Sequence, residues 1–137
     1  MKKLALIVTQ GTYNNLLQAC DLARIAAASG TRVSILFRDE AAARMTQDKI
    51  KQVPFSEGYR GREARVRELL RERQQHDLPA LLRQIKEQGD VKLSVCRDSL
   101  EYFELSVEHL LPELDEVQKA EAFWKEEAAP ADAVLTF

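Results

Sequence analysis

The chain has 137 residues, with 20 Lys and Arg against 22 Asp and Glu and a net charge of −2. That length suits one domain with a real core, and the near-neutral balance gives no general case for binding DNA or a membrane surface. The two cysteines, Cys20 and Cys96, are too few for a disulfide scaffold, and with His76 and His109 they match no zinc spacing.

Met1-Lys2-Lys3 is basic and Leu4 to Val8 is apolar. This run is too short for a secretory core, and Thr9-Gln10-Gly11 ends it. No apolar run approaches a membrane span. A cytoplasmic protein in a reducing compartment is expected.

Lys3 to Thr9 reads as a central strand buried on both faces, the pattern of a parallel sheet. Gln10-Gly11-Thr12 is a turn, and Tyr13 to Ser29 a helix. Leu16, Leu17, Cys20, Ala23 and Ala27 recur at helical spacing, and Gly30 closes the helix. Ala26-Ala27-Ala28 is small enough to let it lie close to a sheet. Thr31 to Phe37 is a second β-branched, apolar strand. Asp39 suits the cap of a short helix over Glu40 to Met45. The β-α-β-α order predicts a parallel, three-layer α/β fold with right-handed crossovers.

Thr46 to Gly61 breaks any period, with Pro54, Gly58 and Gly61, and reads as a long loop. A basic helix follows, in which Arg60, Arg62, Arg65, Arg67, Arg71 and Arg73 mix with Glu63, Glu68 and Glu72. Such mixing at helical spacing is more often a solvated face with i,i+4 pairs than an anion or RNA contact. Asp77 is expected to cap a second helix that runs to Gln88 and stops at Gly89.

Val91 to Cys96 then reads as a short buried strand, since Val91, Leu93 and Val95 alternate. Asp98 or Ser99 is expected to cap a helix beginning with Leu100, Tyr102 and Phe103. Cys96 would therefore stand where a strand stops and a helix begins, the edge of an α/β sheet at which ligands bind. Free helix-start N–H groups and Arg97 would favour a thiolate there. Two readings stand side by side: a reactive thiol, or a small buried hydrophobe at a strand end. Cys20 reads as core, with a Cys20–Cys96 redox pair as a minor alternative.

Beyond this strand, a short segment over Leu110 to Leu114 is interrupted by Pro112. Glu116-Val117-Gln118 is a brief strand or turn, Lys119 to Ala128 a helix, and Ala131 to Phe137 a last strand. The final forty residues are acidic, and with the basic helix this asymmetry suggests pairing between subunits. The turn at Gln10-Gly11 lacks the glycine spacing and the Lys-Ser/Thr of a phosphate loop, and no dinucleotide fingerprint is present. No Gly-x-Ser-x-Gly elbow exists either.

Several stretches together carry a resemblance. They are Leu4-Ala-Leu-Ile-Val-Thr-Gln-Gly11, the helix over Asn14 to Ala28, and Gly30 with Val33-Ser-Ile-Leu-Phe37. Above all there is Val91-Lys-Leu-Ser-Val-Cys96, followed by a helix and an acidic stretch to Ala131-Asp-Ala-Val-Leu-Thr-Phe137. In these the chain resembles the DsrE/DsrF-like sulfur-relay proteins of the DsrE and TusD types, over nearly its whole length except Thr46 to Gln75. The resemblance implies one domain over residues 1–137 with a parallel, five-stranded sheet between helices, the segment at about 46–75 being a loop and Arg-rich helical insertion. It implies homo- or hetero-oligomers such as trimers or hexamers. It further implies a persulfide on Cys96, taken from a rhodanese-like or TusA-like partner and passed on without a cofactor, with Arg97 stabilising the thiolate. The competing reading is a non-catalytic oligomeric module of the same fold that binds an anion or a partner protein.

Overall fold

The computed structural model describes all of residues 1–137. Five strands form one sheet in the order β4-β3-β2-β1-β5: β1 Lys3–Val8, β2 Arg32–Phe37, β3 Val91–Cys96, β4 Glu116–Gln118 and β5 Ala133–Thr136. Every neighbouring pair is parallel. The helices are α1 Tyr13–Ala28, α2 Asp39–Ala43, α3 Glu63–Glu72, α4 Leu78–Gln88, α5 Arg97–Tyr102 and α6 Ala120–Phe123. Trp124–Ala128 extends α6 as a π-helical turn. No helix is long and apolar enough to cross a membrane.

The strand order decides how each face is covered. From β1 to β4 the chain steps always in one direction, and right-handed crossovers place the intervening helices on one face. The last connection steps back across the sheet to β5 and so crosses the other face. On the first face, Leu4, Leu6, Val8, Val33, Ile35, Phe37, Val91 and Leu93 pack against Leu16, Cys20, Ala23 and Ala27 of α1 and Leu78, Leu82 and Ile85 of α4. Each such large aliphatic or aromatic side chain contributes ~1.5–3 kcal/mol by leaving water. On the second face, Ala5, Leu36 and Cys96 pack under Phe123 and Ala128 of the last connection. That face is partly polar, because Lys3, Ser34, Lys92, Ser94 and Gln118 share it by strand alternation.

Several local expectations are refined. Asp77 does cap α4, its carboxylate accepting from the Ala80 N–H at 3.1 Å. Asp39 does not cap α2. It sits at φ 51°, and its N–H donates to Ser99 Oγ at 2.8 Å. Ser99 and Asp98 are inside α5, not ahead of it, and Cys96 itself takes the N-cap position. Residues 46–75 contain two 3-10 turns and α3, and their Ile50, Val53 and Leu70 enter the main core. Gly11 is a packing requirement: a Cβ there would stand 2.6 Å from the Glu40 carbonyl oxygen, so α2 can approach the β1–α1 turn only over a glycine.

Candidate functional site

Cys96 ends β3 and faces the second side of the sheet. Its register partner on β4 is Gln118. On the other side, Phe37 of β2 pairs with Val95, which brings Arg38, the next residue of the chain, alongside Cys96. Parallel pairing thus gathers one arginine and one glutamine around the sulfur at the carboxyl edge of the sheet. The chain turns directly from Cys96 into α5, and the residue keeps extended backbone angles, φ −72° and ψ 125°. The first free N–H groups of a helix point back at its cap.

These neighbours set the ionisation of the thiol. Burial alone pushes its pKa up, since Cys96 is 0% exposed. The polar groups around the sulfur, namely the Ser99 N–H and hydroxyl, the Arg38 guanidinium and the Asp98 N–H, act in the other direction and win, so the pKa lies below the ordinary thiol value. Ser99 is held in place by the Asp39 N–H, which donates to its Oγ and ties α5 to the start of α2. Arg97 is exposed.

Cys20 is the counterexample within the same chain. It is buried on α1 without such donors, and desolvation, helped by Asp21, raises its pKa to about 12. It belongs to the main core cluster, whereas Cys96 packs on the opposite face of the sheet. The minor alternative of a Cys20–Cys96 redox pair therefore fails, because the sheet lies between the two sulfurs. Both cysteines are free. His76 and His109 are exposed.

Access is the feature that sequence spacing did not reveal. The expected position at the sheet edge is correct, but the sulfur is covered. Phe123 and Ala128 lie over it, together with Leu36. Beside this cover is a depression of about 340 Å³ lined by Ile7, Leu36, Arg38, Ala120, Glu121, Phe123 and Trp124. Leu36 and Phe123 both line the depression and pack with Cys96. Three polar atoms here are buried without a partner: Arg38 Nε, Ser94 Oγ and Gln118 Oε1. Buried polar atoms normally find partners, and two of these, Arg38 Nε and Gln118 Oε1, belong to residues flanking Cys96 on the neighbouring strands.

The cover is held down by charge. Glu127 accepts a hydrogen bond from Ser34 Oγ and pairs with Lys3 Nζ at 3.0 Å and Lys92 Nζ at 3.3 Å. Lys92 also pairs with Glu116 at 3.0 Å, and Gln118 Nε2 donates to Glu126 at 3.2 Å. Burial pushes the Glu127 pKa up, but Ser34, Lys3 and Lys92 outweigh it and hold the carboxyl below its usual range. The segment over Cys96 is therefore latched to β1, β2 and β3. Its π-helical turn is a local form that recurs at functional positions.

The family model described as the DsrE/DsrF-like family matches residues 2–137. A solved structure of a protein of unknown function from Methanobacterium thermoautotrophicum superposes with a TM-score of 0.67 at 12% identity, covering 98% of this chain and 99% of that one. At that identity the likeness concerns the fold. No curated protein matches the chain.

Proposed function

Because the chain belongs to the DsrE/DsrF-like family, we propose that it acts in sulfur relay, holding sulfane sulfur as a persulfide on Cys96 and passing it to a partner thiol. The support is the lowered pKa of a buried thiol at the end of β3, set by the α5 amides, Ser99 and Arg38. A deprotonated sulfur is the nucleophile of thiol exchange.

The Cys96 thiolate attacks the terminal sulfur of a donor persulfide. The donor S–S bond breaks, its inner sulfur leaves with the bonding electron pair as a thiolate, and Cys96–S–SH forms. In the second step the acceptor thiolate attacks that terminal sulfur, and Cys96 leaves as a thiolate. No net oxidation occurs, so the exchange needs no cofactor. The same donors that favour the Cys96 thiolate make it a good leaving group in the second step. Arg38 contributes to the thiolate stabilisation expected of Arg97. The donor or acceptor is a partner protein of rhodanese or TusA type, in the cytoplasm, and the chain works as a homo-oligomer. For any partner to reach the sulfur, the segment from Ala120 to Ala128 has to lift.

A second reading is favoured by the complete burial of Cys96. In it the chain keeps the fold as a non-catalytic oligomeric module, and the sulfur only packs. Cyanolysis separates the two. Protein treated with polysulfide and freed of excess donor is reacted with cyanide, which takes a terminal sulfur as thiocyanate. Sulfur carriage yields one equivalent per chain from wild type and none from Cys96→Ser. Equal yields from both proteins, or none from either, support the packing role.

A further inference from the structure

A larger cavity, of about 630 Å³, lies away from Cys96, between the loop after α2 and the start of α4. Its volume is that of a typical small-molecule site. Its apolar lining comes from residues that are themselves buried in the protein core: Tyr13, Ile50, Val53, Leu78 and Leu111. Its polar lining is mostly cationic: Lys51, Arg67 and Arg83 against the single carboxylate of Asp77, with His76 beside them.

The disposition of these charges decides what fits. Asp77 is committed to capping α4 through the Ala80 N–H. Arg83 reaches Glu113 only at 3.4 Å. Neither Lys51 nor Arg67 has an ion-pair partner, although Arg65 and Arg60 of the same basic region pair with Glu68 and Glu57. Arg67 is instead held over the Phe55 ring, 4.7 Å from its centroid. That ring is fixed in turn between Tyr13, at 5.5 Å, and Tyr59, at 5.2 Å. The guanidinium is therefore oriented before any ligand arrives and keeps its hydrogen-bond donors free. Tyr13 stays a neutral phenol, its pKa raised to about 12 chiefly by burial, and donates to the Gln75 carbonyl at 2.6 Å.

We propose that this cavity binds a small organic oxyanion, a carboxylate or phosphate with an apolar body. The anion sits at Arg67 and Lys51, and the body lies on Ile50, Val53, Leu78, Leu111 and the Tyr13 ring. Of the whole basic stretch, Arg67 is then the arginine with a ligand to hold, and its neighbours form a solvated face.

Calorimetric titration of the intact protein tests this with four probes: 1-naphthyl phosphate, 1-naphthoate, neutral 1-naphthalenemethanol and inorganic phosphate. Both naphthyl anions should bind, and the alcohol and inorganic phosphate should each be about tenfold weaker or more. Arg67→Gln and Lys51→Gln should each weaken the naphthyl anions by a similar factor. Both side chains are exposed, and circular dichroism checks that the fold is kept. Cys96→Ser should bind like wild type, so failure of sulfur carriage and failure of this site are read separately. Equal binding of the alcohol, equal binding of inorganic phosphate, no effect of either charge removal, or no binding of the naphthyl anions up to about 1 mM would each overturn the proposal.

Discussion

Glu127→Gln is the perturbation that bears most on how Cys96 is reached. The substitution keeps the shape of the side chain and a hydrogen bond to Ser34, but it removes the charge facing Lys3 and Lys92. The Glu127 and Lys3 side chains are only 12% and 15% exposed, so solvent screens this contact weakly. Lys92 retains Glu116, and Lys3 retains the Glu126 carbonyl at 3.0 Å, so neither lysine is left wholly unpaired. The loss is therefore that of two charge-assisted contacts, each partly replaced, ~2 kcal/mol together, below the cost of orphaning a fully buried ion. If Cys96 reacts only when the segment lifts, its alkylation rate follows the open population. At 1.4 kcal/mol per tenfold, iodoacetamide should label Cys96 about thirtyfold faster in the variant. Peptide-resolved mass spectrometry reports both cysteines from one reaction, and Cys20 serves as the internal control. Acceleration at Cys96 without matching acceleration at Cys20 means local lifting. An unchanged Cys96 rate, or equal acceleration at both sites, would refute the latch, the second outcome pointing to global unfolding.

Other consequences follow from the same geometry. Cys96 labelling should rise with pH around a midpoint below that of an ordinary free thiol, and Arg38→Gln should move that midpoint up by removing one of the groups that lower it. Cys20, raised to about 12, should stay unlabelled in the native protein to pH 9 and beyond. Its neutral form is the one the fold prefers, so its stabilising contribution is complete below the unfolded thiol pKa and is lost as pH climbs toward the folded value. Glu127 has the opposite sign: its depressed pKa gives stability above the unfolded carboxylate value, lost as pH falls through the folded one. Chemical denaturation below pH 5 should thus cost wild type more stability than Glu127→Gln. Gly11→Ala should destabilise by ~1–3 kcal/mol, read from the shift of the urea midpoint, because the new methyl meets the Glu40 backbone.

β1, β2 and β3 were legible because each is a short, largely apolar run bounded by turn residues, and a parallel sheet buries both faces of such runs, whereas Glu116–Gln118 carries one apolar residue and read equally well as a turn. Cys96 at a strand-to-helix junction was legible for the same reason. Arg38 was not. It follows β2, and only the pairing of Phe37 with Val95 places it beside the sulfur. A rule looking for residues that follow a neighbouring parallel strand could have found it, whereas proximity in sequence favoured Arg97, which the structure leaves exposed. The cover over Cys96 was equally hidden. It depends on β5 adding beside β1, which turns the last crossover onto the otherwise open face. Lys119 to Ala128 did read as helix, but nothing in its composition marks the π-helical turn or the latch at Glu127. The segment from Thr46 looked appended because its Pro and Gly break every period, yet Ile50 and Val53 carry it into the core and help to line the larger cavity.

Direct mapping of the added sulfur tests the central claim most closely. The protein is incubated with a sulfane sulfur donor, capped with an alkylating agent and digested, and the mass of each cysteine peptide is read. Sulfur carriage predicts one additional sulfur on the peptide containing Cys96, lost on treatment with a small thiol, and none on the Cys20 peptide. A Cys96 peptide that carries no extra sulfur, even in Glu127→Gln with the cover loosened, contradicts it.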